Sequence, residues 1–80
     1  MGYHKNEIVK GVLGEFSKIQ EEFDELLDAH QQEDKILQIC ELSDLIGAIE
    51  EYSLGKFNLT LDDIVKFSNK TKSAFKENRR

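Results

Sequence analysis

Eighty residues with a net charge of −5, no proline and one cysteine make one small domain. Cys40 alone excludes an intramolecular disulfide, and the acidic balance makes a poor nucleic-acid surface. There is no signal-peptide pattern and no apolar run near the ~20 residues that span a bilayer, so the expectation is a soluble cytoplasmic protein with neither a membrane nor a nucleic-acid partner.

Residues 1–13 read as an arm or a loosely helical lead-in. Asn6 suits a helix cap, but Gly11 and Gly14 each weaken a helix interior by about 1 kcal/mol. The first helix is expected from Gly14 or Glu15 to about Gln31, with Phe16, Ile19, Phe23, Leu26 and Leu27 as its apolar stripe. Glu22 and Glu25 share a neighbouring face with Lys18, while Glu21 points further round. A polar turn leads into a second helix, expected from about Glu33 to Tyr52 with Gly55 as its stop. A third helix is expected from Thr60, a capping residue followed by Asp62 and Asp63, to about Glu77. Its inward positions are Leu61, Ile64, Val65, Phe67 and Phe75, and Asn78 is a suitable left-handed cap. The chain is therefore all-α: three main helices in a bundle.

The second helix organises the rest. Ile39, Cys40, Leu42, Leu45, Ile46, Ala48 and Ile49 point nearly all the way round it, the pattern of a buried helix. Two other helices hardly cover such a surface, and a core of this size rarely supplies more than roughly 3–5 kcal/mol. A homo-oligomer is expected, a dimer or a tetramer, that completes the bundle. Cys40 is expected to act as a small hydrophobe inside it.

Glu41 and Asp44 sit within that apolar helix, three residues apart and so on one face. Burying two carboxylates costs on the order of several kcal/mol each unless cations compensate them. Glu22 and Glu25 form a second such pair on the first helix, and an antiparallel packing of the two helices brings all four together. Hard cations such as Mg²⁺ take oxygen ligands and usually keep a substrate phosphate as well. The basic residues up to Gly55 are only Lys5, Lys10, Lys18 and Lys35, whereas from Lys56 onward basic residues dominate. An acidic centre with a basic tail suits a metal-bound polyphosphate. It also describes a solvated acidic bundle with a basic helix end.

The pattern Glu21-Glu22-x-x-Glu25 followed by Glu41-x-x-Asp44 resembles the metal-binding signature of the MazG-like, all-α nucleoside triphosphate pyrophosphohydrolases. The likeness extends over roughly residues 11–80. It includes Gly14 to Ile19, Glu41 to Ile49, Leu61-Asp62-Asp63-Ile64, and a closing Ala74 to Arg80 in which Asn78 stands where the family often has glycine. The resemblance implies hydrolysis of a nucleoside triphosphate between the α and β phosphates, giving monophosphate and pyrophosphate. It implies Glu22, Glu25, Glu41 and Asp44 as ligands of Mg²⁺, with Mn²⁺ as a possible substitute. It also implies Glu21 and Glu22 as catalytic residues, Glu21 positioning or deprotonating water or contacting a further metal.

Lys66, Asn69, Lys70 and Arg79 are the candidate phosphate contacts from the basic segment, with Lys72, Lys76 and Arg80 nearby. Lys18 either reaches a phosphate or pairs with Glu22. His4 and His30 are weak candidates as metal ligands. Phe16, Tyr52 and Phe57 either stack on a base or belong to the core. The alternatives to an enzyme are a non-catalytic helical interaction module that keeps the fold, and an acidic nucleic-acid mimic.

Overall fold

A computed structural model describes residues 4–76. The expectations for Glu77, Asn78, Arg79 and Arg80 lie outside the described residues. Among the described residues there are three helices and no strand: α1 at Phe16–Gln31, α2 at Lys35–Phe57 and α3 at Leu61–Lys76. None is long and apolar enough to cross a membrane.

Residues 4–15 form a non-helical arm, in keeping with the two glycines in its second half. Gly14 adopts a φ of 91°, a conformation that L side chains disfavour, and the Glu15 N–H donates to the Val12 carbonyl across the turn at 2.9 Å. Asp34 caps α2 by accepting from the Leu37 N–H at 3.0 Å. The start of α3 is a reciprocal capping box: Asp63 N–H donates to Thr60 Oγ1 and Thr60 N–H donates to Asp63 Oδ2.

The end of α2 corrects the sequence expectation. The helix runs through Gly55 to Phe57, and Asn58 takes the left-handed cap conformation at φ 56°, its N–H donating to the Leu54 carbonyl at 3.1 Å. A glycine is tolerated within a helix, and asparagine also accepts the left-handed region, so Asn58 ends the helix in place of Gly55.

α1 packs along α2, and α3 touches α2 but not α1. Among the described residues, Ala29 and Ala48 are the buried hydrophobic ones, and the other buried side chains are Glu21, Glu22, Asp28, Glu41 and Ser53. The expected inward stripes are largely open. Phe16, Phe23 and Leu27 of α1, Ile39, Leu42 and Ile46 of α2, and Val65, Phe67 and Phe75 of α3 are exposed. Cys40, expected inside the bundle, is exposed as well. The reason is geometric: α2 has one neighbour along most of its length, so one flank is covered and the rest is not.

The carboxylates occupy that covered flank. The face of α1 that meets α2 and the arm carries the buried Glu21, Glu22 and Asp28, while Phe23 and Leu27 of its apolar stripe are exposed and Ile19 and Leu26 half-buried.

Candidate metal centre

The α1–α2 hairpin sets Glu22 and Glu25 beside Glu41 and Asp44. One carboxylate oxygen from each of the four lies within 4.8 Å of all the others. Glu22 and Glu41 are buried, Glu25 is half-buried and Asp44 is exposed, so the group has a closed floor and one open side. Glu22 Oε1 and Glu41 Oε1 are buried and have no hydrogen-bond partner among the described residues. A buried carboxylate oxygen without a donor is costly, and a cation is the group that relieves two of them at once. Four oxygen donors at this spacing fit a hard divalent ion such as Mg²⁺ or Mn²⁺.

Electrostatics show the same crowding. Burial, followed by the hydrogen bond to Glu41 and the charges of Glu22 and Glu41, pushes Glu25 up to about 7. Without a cation, the charged form of Glu25 is disfavoured by its own neighbours.

Lys18 bridges the neighbouring carboxylates, at 2.9 Å from Glu22 Oε2 and 3.1 Å from Glu21 Oε1. Its hydrogen bonds to both hold its ammonium above the ordinary lysine range. Glu21 is the most enclosed of the α1 glutamates, at 3% exposure, and lies outside the four-carboxylate group. Its Oε1 also accepts from the Gly11 N–H at 2.9 Å, and Lys10 Nζ stands 3.6 Å from its Oε2. Burial opposes its ionisation, but the donors from Gly11 and Lys18 outweigh that and lower its pKa.

Two further residues adjoin the group: Asp28, which the sequence did not single out, and His4, which it offered only as a weak candidate ligand. Asp28 is 2% exposed and accepts from His4 Nδ1 at 2.9 Å, from the backbone N–H of Lys5 and Asn6, from Asn6 Nδ2 at 2.6 Å and from Gln32 Nε2. Burial opposes its charge, yet these donors depress its pKa to about 2. His4 Nε2 lies 3.1 Å from Glu41 Oε2 and 3.5 Å from Glu25 Oε1. Burial lowers the imidazole pKa, but the hydrogen bonds to Asp28 and Glu41 and the charges of Glu41 and Glu25 leave it raised. Asp28 had a sequence signal, because Glu22, Glu25 and Asp28 recur every third residue on one helix face. His4 had none, since only the return of the arm brings it to the cluster.

Three concavities open around the carboxylates. One of about 410 Å³ lies under the arm, with His4, Lys10, Glu25 and Glu41 in its wall. A second of about 520 Å³ includes Lys18, Glu22, Asp44 and Glu51, and a third of about 490 Å³ includes Cys40, Glu41 and Asp44. The candidate phosphate contacts of α3 line none of the three. Lys66, Asn69 and Lys70 are exposed, and Lys66 pairs with Asp62 at 3.2 Å. His30 is exposed at the end of α1. Phe16, Tyr52 and Phe57 form an edge-to-face series, with ring centroids 6.0 and 5.8 Å apart, that ties the start of α1 to the end of α2.

No known protein family, curated protein or solved structure matches the chain.

Proposed function

We propose that the chain is a Mg²⁺-dependent nucleoside triphosphate pyrophosphohydrolase of the MazG-like kind, cleaving between the α and β phosphates and working as a homodimer or homotetramer. The observation that carries this reading is the group Glu22, Glu25, Glu41 and Asp44, in which buried oxygens of Glu22 and Glu41 have no donor among the described residues. Its members are the residues that the sequence resemblance nominates as ligands. When bound, a divalent cation neutralises the triphosphate, polarises phosphorus and acidifies bound water. Glu22 and Glu41 form the enclosed side of the site and Asp44 its open side, where a substrate enters. Glu21 holds Lys18 and the arm in place, and Lys18 stands ready to exchange Glu22 for a phosphate oxygen. Lys66, Asn69, Lys70 and Arg79 remain proposals as phosphate contacts, brought to the site by a neighbouring subunit.

The rival reading is a non-catalytic interaction module, and the wide exposed apolar surface is the observation in its favour. One experiment separates the two. The purified protein is incubated with each NTP and dNTP, with dUTP, and with Mg²⁺, and the products are resolved beside Glu41→Gln and Asp44→Asn variants of verified helicity. The enzyme reading requires monophosphate plus pyrophosphate from wild type and a loss of at least ~100-fold in both variants, the scale expected when a group stabilising developing charge is removed. Diphosphate plus phosphate would move the cleaved bond. A folded wild type without turnover and without Mg²⁺ binding would leave the interaction module.

A further inference from the structure

His4 occupies a position that the four-carboxylate reading does not require. The arm carries it from outside the helical hairpin to the edge of the cluster, and Asp28 fixes it there. Asp28 already accepts from Lys5, Asn6 and Gln32, so it meets His4 Nδ1 as an acceptor, and Nδ1 carries the hydrogen. That leaves Nε2 as the atom turned towards Glu41 and Glu25. Nε2 is within hydrogen-bonding distance of Glu41 Oε2, so it either carries a second proton and donates there or, once that proton leaves, turns its lone pair to a cation shared with Glu41 and Glu25. A carboxylate that orients one ring nitrogen while the other faces acidic ligands is the arrangement found around metal-binding histidines.

The distances agree with a shared ion. Ligand atoms bonded at about 2.1 Å to one cation stand roughly 3.0–3.4 Å apart at octahedral and tetrahedral angles. His4 Nε2 lies 3.1 Å from Glu41 Oε2 and 3.5 Å from Glu25 Oε1. An independent observation also points to a missing ligand: Glu41 is 5% exposed, and its Oε1 has no hydrogen-bond partner among the described residues.

We propose that His4, Glu25 and Glu41 form a nitrogen-containing metal site for a first-row transition cation of the Mn²⁺ to Zn²⁺ series, with Asp28 as the residue that positions His4. The site shares Glu25 and Glu41 with the four-carboxylate group, so the inference rests on that group binding cations and adds which cations it prefers. Mg²⁺ dehydrates reluctantly and favours oxygen, whereas imidazole favours the later transition ions. Because the three ligands come from the arm, α1 and α2, binding also fastens the arm to the hairpin.

The test uses the whole chain, freed of metal by a chelator and titrated separately with Co²⁺, Zn²⁺ and Mg²⁺ by calorimetry. His4→Gln keeps a polar side chain and is expected to weaken Co²⁺ and Zn²⁺ by tenfold or more while changing Mg²⁺ by less than about threefold. Asp28→Asn is expected to weaken Co²⁺ by about 10–100-fold, as the loss of an outer partner does. In the wild type, Co²⁺ should produce a hyperfine-shifted, exchangeable Nδ1–H proton resonance that persists in His30→Gln and disappears in His4→Gln. This signal is read without relying on the stability of the His4 variant. Its absence, an unchanged Co²⁺ affinity in folded His4→Gln, or an equal loss for Mg²⁺ and Co²⁺ overturns the proposal. Asp44 belongs to the four-carboxylate group but not to this trio, so Mg²⁺ binding that Asp44→Asn abolishes stands whatever His4 does. A wild type that binds no divalent cation overturns both.

Discussion

At the scale of single residues, the centre is a set of ionisable groups pulled in opposite directions by their surroundings. Glu25 has its folded pKa raised from 4.5 to about 7. Between those values the folded protein holds a proton that the unfolded chain has released, so stability falls as pH rises through that window. His4, raised above 6.5, acts in the same sense: its contribution is full below 6.5 and is lost as pH rises through the folded value. Asp28, depressed from 3.8 to about 2, contributes stability that is present above 3.8 and is lost as pH falls towards 2. Thermal melts in chelator should therefore show maximal stability near pH 4–5 and a decline towards pH 8, and Glu25→Gln should flatten the decline between 4.5 and 7. A metal-free stability that climbs from pH 5 to 8 contradicts this balance. Glu33 supplies a second expectation. It sits between α1 and α2 at a φ of 57°, where an L side chain is strained by roughly 1–2 kcal/mol. Glu33→Gly should raise the unfolding free energy by up to about 1 kcal/mol in urea titrations, the relief of strain exceeding the added chain entropy. Glu41 and Asp44 were legible in the sequence because paired acids at i,i+3 inside an apolar helix demand an explanation, whereas Glu22 and Glu25, on an acidic helix, were singled out by the expected antiparallel packing and the family resemblance. His4 was not, because 24 positions separate it from Asp28 and no local periodicity links them.

At the scale of elements, the helices follow local chemistry closely, and the arm does not. The Thr60–Asp63 box and the Asp34 cap use residue types that the sequence displays. The end of α2 differs from the Gly55 expectation because two residues suited to a left-handed cap, Gly55 and Asn58, occur within one turn of each other, and composition does not rank them. The arm's path depends on Gly11. A β-carbon there would run into the carbonyl oxygen of Ser17, on backbone that does not yield. Gly11→Ala should therefore displace the arm, break the hydrogen bond to Glu21 and withdraw His4 from the cluster. Limited trypsin digestion should then cut after Lys5 and Lys10 several-fold faster than in wild type, with the helical circular dichroism unchanged. Equal cleavage rates would mean that the arm reaches its position without that close approach.

At the scale of the whole molecule, the single chain is more open than its mass requires. Its accessible surface is 6209 Å², against about 4,900 Å² for a compact monomer of 9.2 kDa. Its radius of gyration is 14.7 Å, where about 12 Å is expected for 80 residues. The excess surface, about 1,300 Å², exceeds the roughly 800 Å² that one partner contributes to an ordinary stable interface. Ile36 and Ile39, at 72% and 63% exposure, lie within it. The proposed self-association predicts a melting temperature that rises with protein concentration. Ile39→Lys together with Ile46→Lys should lower the melting temperature and yield monomer in sedimentation. A monomeric wild type with a concentration-independent melt would rule out the assembly. The all-round apolar pattern of α2 signalled this shortage of covering helices from the sequence alone, although not which flank would be left open. The covered flank turned out to be the acidic one.

That choice of flank has an evolutionary consequence. The side chains that hold the hairpin's interior are the ones least suited to hold it, since two of their oxygens lack donors among the described residues and burial pushes the pKa of a third group, Glu25, upward. Neutral or apolar replacements at Glu22, Glu25 and Glu41 should therefore make the metal-free chain sturdier while removing the ligands of the proposed cation site. Variants selected for heat resistance alone would discard these acids early. Their retention in a lineage would record selection for what the site does, because robustness by itself argues against keeping them.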